Sequence, residues 1–176
     1  MRLRTANQAR RGVTVIESAV VYPVTFLLLL GLVIGSMGIF RYQEVAALAR
    51  AGARYASTHG NAFRKDTGQS TGSPGTAAGK SGGYWWYTAD PTSASGSDTS
   101  WTGDIYDQAI RPNLIALDPS RLSVKAGWPP VINQPDKPDN WPGSQVSVTV
   151  TYQWMPELFL IGPINLSSTS TMPITN

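Results

Sequence analysis

Two features near the amino terminus have the residue types and spacing for chemistry. The Gly12–Val13 peptide bond joins a basic segment, with Arg2, Arg4, Arg10 and Arg11, to a long apolar run. Glu17, four residues beyond Val13, is the only charged residue between Arg11 and Arg41. A border of this kind suits proteolytic processing of the bond after Gly12. A lone carboxylate entering an apolar environment needs a cationic partner or it protonates. Such a residue at the edge of a membrane helix is a functional hypothesis by default. If the chain is cut after Gly12, Val13 supplies a new α-amine one helical turn from Glu17, on the same face.

Other constellations read as structure. Residues 75–81, GTAAGKS, imitate a phosphate loop, but the required first glycine falls on Pro74 and no apolar helix follows. His59 is the single histidine and has no partners for a triad or metal site, so it reads as a helix-end residue. Asp104 and Asp107 suit helix capping, and Asp136 and Asp139 decorate a proline-rich loop. The absence of cysteine excludes disulfides, thiol catalysis and cysteine-ligated zinc. No catalytic residue, metal, cofactor or small-molecule substrate is expected. The pI of about 9.3 invites a nucleic-acid reading. Yet four of the 14 basic residues precede the proposed cut, leaving ten against 11 acids, a formal charge of −1. The basicity belongs to the leader, and no nucleic-acid partner is expected.

The positioning element is a helix. Ser18 to Phe40 are 23 consecutive uncharged residues, and about 20 helical residues span roughly 30 Å of hydrocarbon. Residues 41–57 are rich in good helix formers, extending the helix to about 45 residues and roughly 67 Å. Pro23 should kink it. Gly31 and Gly35 allow close approach of another membrane helix, or are merely tolerated there. A stop is expected at His59-Gly60-Asn61, with Gly60 left-handed.

Beyond the helix, residues 59–103 read as a Gly/Ser-rich loop around Tyr84, Trp85, Trp86 and Tyr87. These aromatics read as a core plug, an interaction surface for carbohydrate or a partner, or a headgroup-level belt. Residues 104–176 form a small head. Ile105, Ala109, Ile110, Leu114 and Leu117 predict a short helix capped by Asp104 or Thr102 and broken at Pro112. Leu122, Val124 and Ala126 predict a strand, and a proline-rich loop follows over 127–143. Strict alternation from Val146 to Trp154 predicts the strongest strand, and Ile164 to Ile174 a last one. The sum is an α+β chain in which a long N-terminal transmembrane helix precedes a small antiparallel-sheet head, its oily face covered by helix.

Three readings of the amino terminus compete. A secretory signal fits the basic start and a cut near Ala47-Leu48-Ala49, but its apolar run should be about 7–15 residues. A plain single-pass anchor explains the length alone. A prepilin-type leader explains Gly12, Val13 and Glu17 together. Residues 10–57, RRGVTVIESAVVYPVTFLLLLGLVIGSMGIFRYQEVAALARAGARYAS, resemble the TadE-like family of pseudopilins. The resemblance rests on Gly12, Glu17, Pro23 and the AGARYA stretch from Ala51 to Ala56. It implies a leader over 1–12, a transmembrane and stalk helix over 13–58, and a role in assembling tight-adherence (Flp-type) pili. It further implies prepilin peptidase, other pseudopilins and pilin as partners, a membrane location with the N-terminus cytoplasmic and the head outside, and no enzymatic activity. The alternative is an uncleaved single-pass envelope protein whose head binds a ligand or partner through Trp85, Trp86 and their neighbours.

Overall fold

The computed structural model describes residues 8–67, 74, 76–89, 100–156 and 162–176. Helix α1 spans Gln8–Thr58 and runs through Pro23 without interruption. Within it, Thr14–Thr58 is long and apolar enough to cross a membrane, with a mean hydropathy of 2.2 in its best window and none of that window buried. The chain divides into two compact units, Met1–Ile39 and Phe40–Asn176. The last part of α1 therefore belongs to the second unit.

That unit is built on a five-stranded, fully antiparallel sheet. Its strands are β1 (Thr76–Ser81), β2 (Tyr84–Thr88), β3 (Leu122–Trp128), β6 (Gln145–Trp154) and β7 (Ile164–Pro173), in the spatial order β1-β2-β3-β6-β7. A separate two-stranded ribbon pairs β4 (Pro130–Val131) with β5 (Gln134–Pro138). The predicted α+β class and the predicted strands over β3, β6 and β7 are present.

The core forms where helical and strand periodicities meet. On α1, Val45, Leu48, Ala49, Ala53 and Ala56 are buried, at the three- and four-residue spacing of one helix face. Opposite them lie Leu122, Val124, Ala126 and Trp128 of β3, and Val146, Val148, Val150, Tyr152 and Trp154 of β6. A second cover comes from α3 (Trp101–Ile105), which runs into a π-type turn (Tyr106–Ile110) and a 3-10 turn (Arg111–Asn113). Both predicted helices thus face the oily side. On the other side the hydroxyls pair across strands: Ser147 with Thr171 at 3.0 Å, Thr149 with Thr169 at 2.8 Å and Thr151 with Ser167 at 3.1 Å.

Four local expectations are corrected. The loop expected over 59–103 contains a short helix α2 (Asn61–Asp66) and the β1–β2 hairpin, closed by Gly82 and Gly83 at φ 60° and 81°. Two consecutive positive-φ residues make the primed turn that matches strand twist, and glycine adopts it without strain. The 127–143 segment is no plain loop: three of its five prolines, Pro130, Pro135 and Pro138, fall on the two-stranded β4–β5 ribbon, which tolerates missing donors. Helix α3 starts earlier than predicted and is capped by Ser100, whose Oγ accepts from Gly103 N at 3.0 Å. Gly60 is extended (φ −73°, ψ −169°), not left-handed. It is glycine for space: a β-carbon there would collide with the Asn176 carbonyl and stand 2.8 Å from Ile174 Cγ2.

Candidate functional site

In the first unit, Gly12, Val13 and Glu17 all lie on α1. Val13 and Glu17 are one turn apart, and Glu17 is exposed. Nearly all the large apolar side chains from Val15 to Ile39 are exposed too, for example Val20 at 65% and Leu28 at 70%. A β-carbon at Gly31 or Gly35 would meet nothing within 4 Å. The hydroxyls satisfy themselves: Ser18 Oγ donates to Thr14 O (2.8 Å), Thr25 Oγ1 to Val21 O (2.9 Å) and Ser36 Oγ to Leu32 O (2.8 Å). Such back-bonding removes their need for an external partner. What the helix offers outward is therefore apolar surface, the Gly31/Gly35 stripe, and one carboxylate. Pro23 carries no N–H, so the Ala19 carbonyl loses its helical donor there.

The aromatic run is split by strand alternation. Tyr87 is buried, its ring 5.9 Å from Trp128, which meets Trp101 edge-on at 5.5 Å. Burial pushes the Tyr87 phenol above its ordinary pKa. Trp85 lies opposite Trp128 in the β2–β3 register, half-buried, with the Lys80 ammonium 5.5 Å from its ring centre. Trp86 faces the other side. Its indole lies on Gly127, where a β-carbon would come within 2.9 Å of the ring, and its Nε1 donates to Ser81 O at 3.0 Å. Beside it, Tyr84 Oη donates to Gln145 Oε1 at 3.0 Å. A shallow depression of about 310 Å³ is lined by Gly79, Lys80, Ser81, Trp86, Lys125 and Thr149. So Tyr87 is core, while Tyr84, Trp85 and Trp86 are each half-buried, Tyr84 and Trp86 on the face away from the core.

The remaining sequence candidates have structural employment. Residues 76–81 form a hairpin strand rather than a phosphate cradle. His59 stacks on Tyr55 at 4.0 Å and meets Phe63 edge-on at 4.4 Å. Asp104 pairs with the buried Arg64, while Asp107 faces Arg111 at 3.6 Å. Among the described residues, no group of three or more His, Cys, Asp or Glu could hold a metal ion.

Sequence reasoning missed a polar clamp on α1. Glu44 Oε1 accepts from the backbone N–H groups of Ile115 (2.9 Å) and Ala116 (3.0 Å), and Arg41 donates to the Ala116 carbonyl (3.2 Å). The Arg41 guanidinium also lies 6.0 Å from the Tyr152 ring centre. The clamp fastens the 114–117 segment to the helix. Its one sequence signal is the charged pair three residues apart just past the apolar run, which charge counting alone treats as an offset.

No curated protein and no solved structure matches the chain. A match does come from the family described as TadE, TadE-like protein: it covers residues 12–54, from the glycine before Val13 to the helical stretch packed against the sheet, so this part of the chain is similar to TadE-like proteins.

Proposed function

We propose that the protein is a membrane-anchored pseudopilin of a tight-adherence (Flp-type) pilus system, acting in pilus assembly or as a minor pilus component. The observation that carries this reading is the TadE-like match over residues 12–54, which begins at Gly12 and includes Glu17. The span-capable helix fits a pilus-associated membrane protein. In this reading prepilin peptidase cuts after Gly12, Val13 becomes the first mature residue, and the apolar part of α1 crosses the cytoplasmic membrane once. The purely basic first flank keeps the N-terminus cytoplasmic, and the sheet unit lies outside. Glu17 registers the helix against a neighbouring pilus subunit, and Gly31 and Gly35 admit that neighbour's helix closely.

The decisive experiment is the N-terminal sequence of the protein purified from membranes of a host with the matching peptidase. Val13 is expected as the first residue, and Gly12→Leu should leave the full-length precursor. A mature chain that still begins at Met1 would instead favour the uncleaved envelope protein. That second reading has one observation of its own, the half-buried indole of Trp86, which lines a shallow depression with Lys80 and Lys125.

A further inference from the structure

The two edges of the five-stranded sheet are treated differently. At one edge, β1 is six residues long, its register slips between Ala77 and Gly79, Gly79 has φ 111°, and Lys80 is exposed. Short length, a bulge and a lysine are devices that keep an edge from pairing with another chain. The other edge has none of them. Strand β7 is ten residues long and pairs with β6 at every position without a register shift. From Gly162 to Asn176 no residue is charged. Among the described residues no second strand pairs with β7. Such an edge presents a row of backbone donors and acceptors to any extended segment.

We propose that this edge is the dimer interface of the protein, β7 pairing antiparallel with β7 of a second copy about a two-fold axis at Thr169. The strand is complementary to its own reverse. With Thr169 opposite Thr169, Ser167 falls opposite Thr171, Ser168 opposite Ser170, and Leu166 opposite Met172. Each hydroxyl then meets a hydroxyl, and the two flanking apolar residues meet each other. A slip of two residues either way sets Leu166 against Ser170 or Met172 against Ser168, so the pattern selects one register. The hydroxyl row already closed between β6 and β7 at Thr149–Thr169, Ser147–Thr171 and Thr151–Ser167 would continue across the join. A neutral strand suits a copy of itself better than a charged partner. The assembly also terminates. The interface uses the same edge of both copies, and the edge left over on each is the blunted β1, so growth stops at two. The inference does not rest on the pilus reading.

The chain has no cysteine, which makes the test clean. Thr169→Cys introduces the single thiol of the protein. Cross-strand β-carbons lie about 4.5–5.5 Å apart, within reach of a disulfide or a short bismaleimide. In membranes carrying the full chain, oxidation or bismaleimide should convert Thr169→Cys largely to a species of twice the mass. Ser167→Cys alone should give little, whereas Ser167→Cys and Thr171→Cys chains with different tags, expressed together, should link to each other. Ala78→Cys on β1 should not link. The pair at 167 and 171 keeps the test valid if Thr169→Cys misfolds. Monomer in all three β7 combinations, linking at Ala78 equal to that at Thr169, or a link to a different protein would each overturn the proposal.

Discussion

Gly52 on α1 lies directly against Val148 on β6. A β-carbon at position 52 would stand 3.1 Å from Val148 Cγ1, 3.3 Å from Ile105 Cγ2 and 3.4 Å from Ile110 Cδ1. Here the helix, the sheet and the α3 segment converge, and the absent side chain sets how closely they approach. Gly52→Ala gains up to about 1 kcal/mol of helix propensity and meets neighbours that must yield only a few tenths of an ångström. It is expected to melt close to wild type. Gly52→Leu has no such room and should cost about 1–3 kcal/mol, the usual range for overpacking. Denaturant midpoints of the two variants decide the matter, and a Leu variant as stable as wild type would contradict this packing.

The same convergence shows what a sequence can and cannot announce. Strands β3, β6 and β7 were legible because their residues alternate, and a period of two has one cause. The helix was legible because charge is absent over 23 residues. Strand β1 was not, since TAAGKS carries one threonine, two alanines and a glycine, and neither alternation nor branching marks it. Its only signal was Gly82-Gly83 ahead of Tyr84. Gly60 was misread because glycine has two uses. Its place after a helix suggested a positive φ, whereas the Asn176 and Asn140 carbonyls and the Ile174 side chain, each more than seventy residues away in sequence, leave no room for a β-carbon. The Glu44 clamp failed to show for a similar reason, because its partners are backbone groups at Ile115 and Ala116 and carry no sequence signature. For the aromatic run, alternation divides the four side chains between two faces, but the alternation alone does not say which face is oily.

That division has an energetic consequence. Trp128 is 1% exposed and touches both Tyr87 and Trp101. Trp128→Ala should cost about 3–5 kcal/mol, as for other large aromatic truncations in cores. Trp86 covers Gly127 from the outer face and makes one hydrogen bond to Ser81. Trp86→Ala should therefore cost clearly less while removing most of the aromatic surface on that outer face. Equal losses for the two variants in urea titration would mean that Trp86 is core after all.

One carboxylate outside the membrane-spanning segment gives a pH prediction with a definite sign. Asp118 Oδ1 accepts from the Ser120 hydroxyl at 2.8 Å and from Ser120 N–H at 3.0 Å. These bonds, the hydroxyl's first, hold the carboxyl below its ordinary range. A folded pKa below the unfolded one means the stabilisation is fully present above the unfolded value. It is lost as pH falls through the folded value. Ser120→Ala should move the Asp118 titration upward, since only the backbone donor and Arg121 remain to favour the anion. Carbon-detected NMR of the carboxyl group follows this directly. An unchanged midpoint in the variant would show that the hydroxyl is not the cause.

Glu17 is exposed on α1, and no basic side chain lies within a helical turn on its downstream side. The next basic residue is Arg41, about 36 Å away at 1.5 Å per residue. An acid entering hydrocarbon without a cation is neutralised or excluded. If the chain is cut after Gly12, the nearest cation is an α-amine at Val13, either its own or that of a neighbour packed alongside. Pairing within the chain would need no assembly, whereas pairing between chains fixes how far one helix slides along the next. Glu17→Gln keeps the shape and removes the charge. It should insert in the membrane and be processed normally, because neither step needs the carboxylate. It should be lost from crosslinked complexes with other pilus subunits. Crosslinking and piliation at wild-type levels would mean that Glu17 pairs within its own chain or with solvent. The registration role would then have to pass to other features of the helix, such as Gly31, Gly35 and the Ala19 carbonyl that Pro23 leaves without a helical donor.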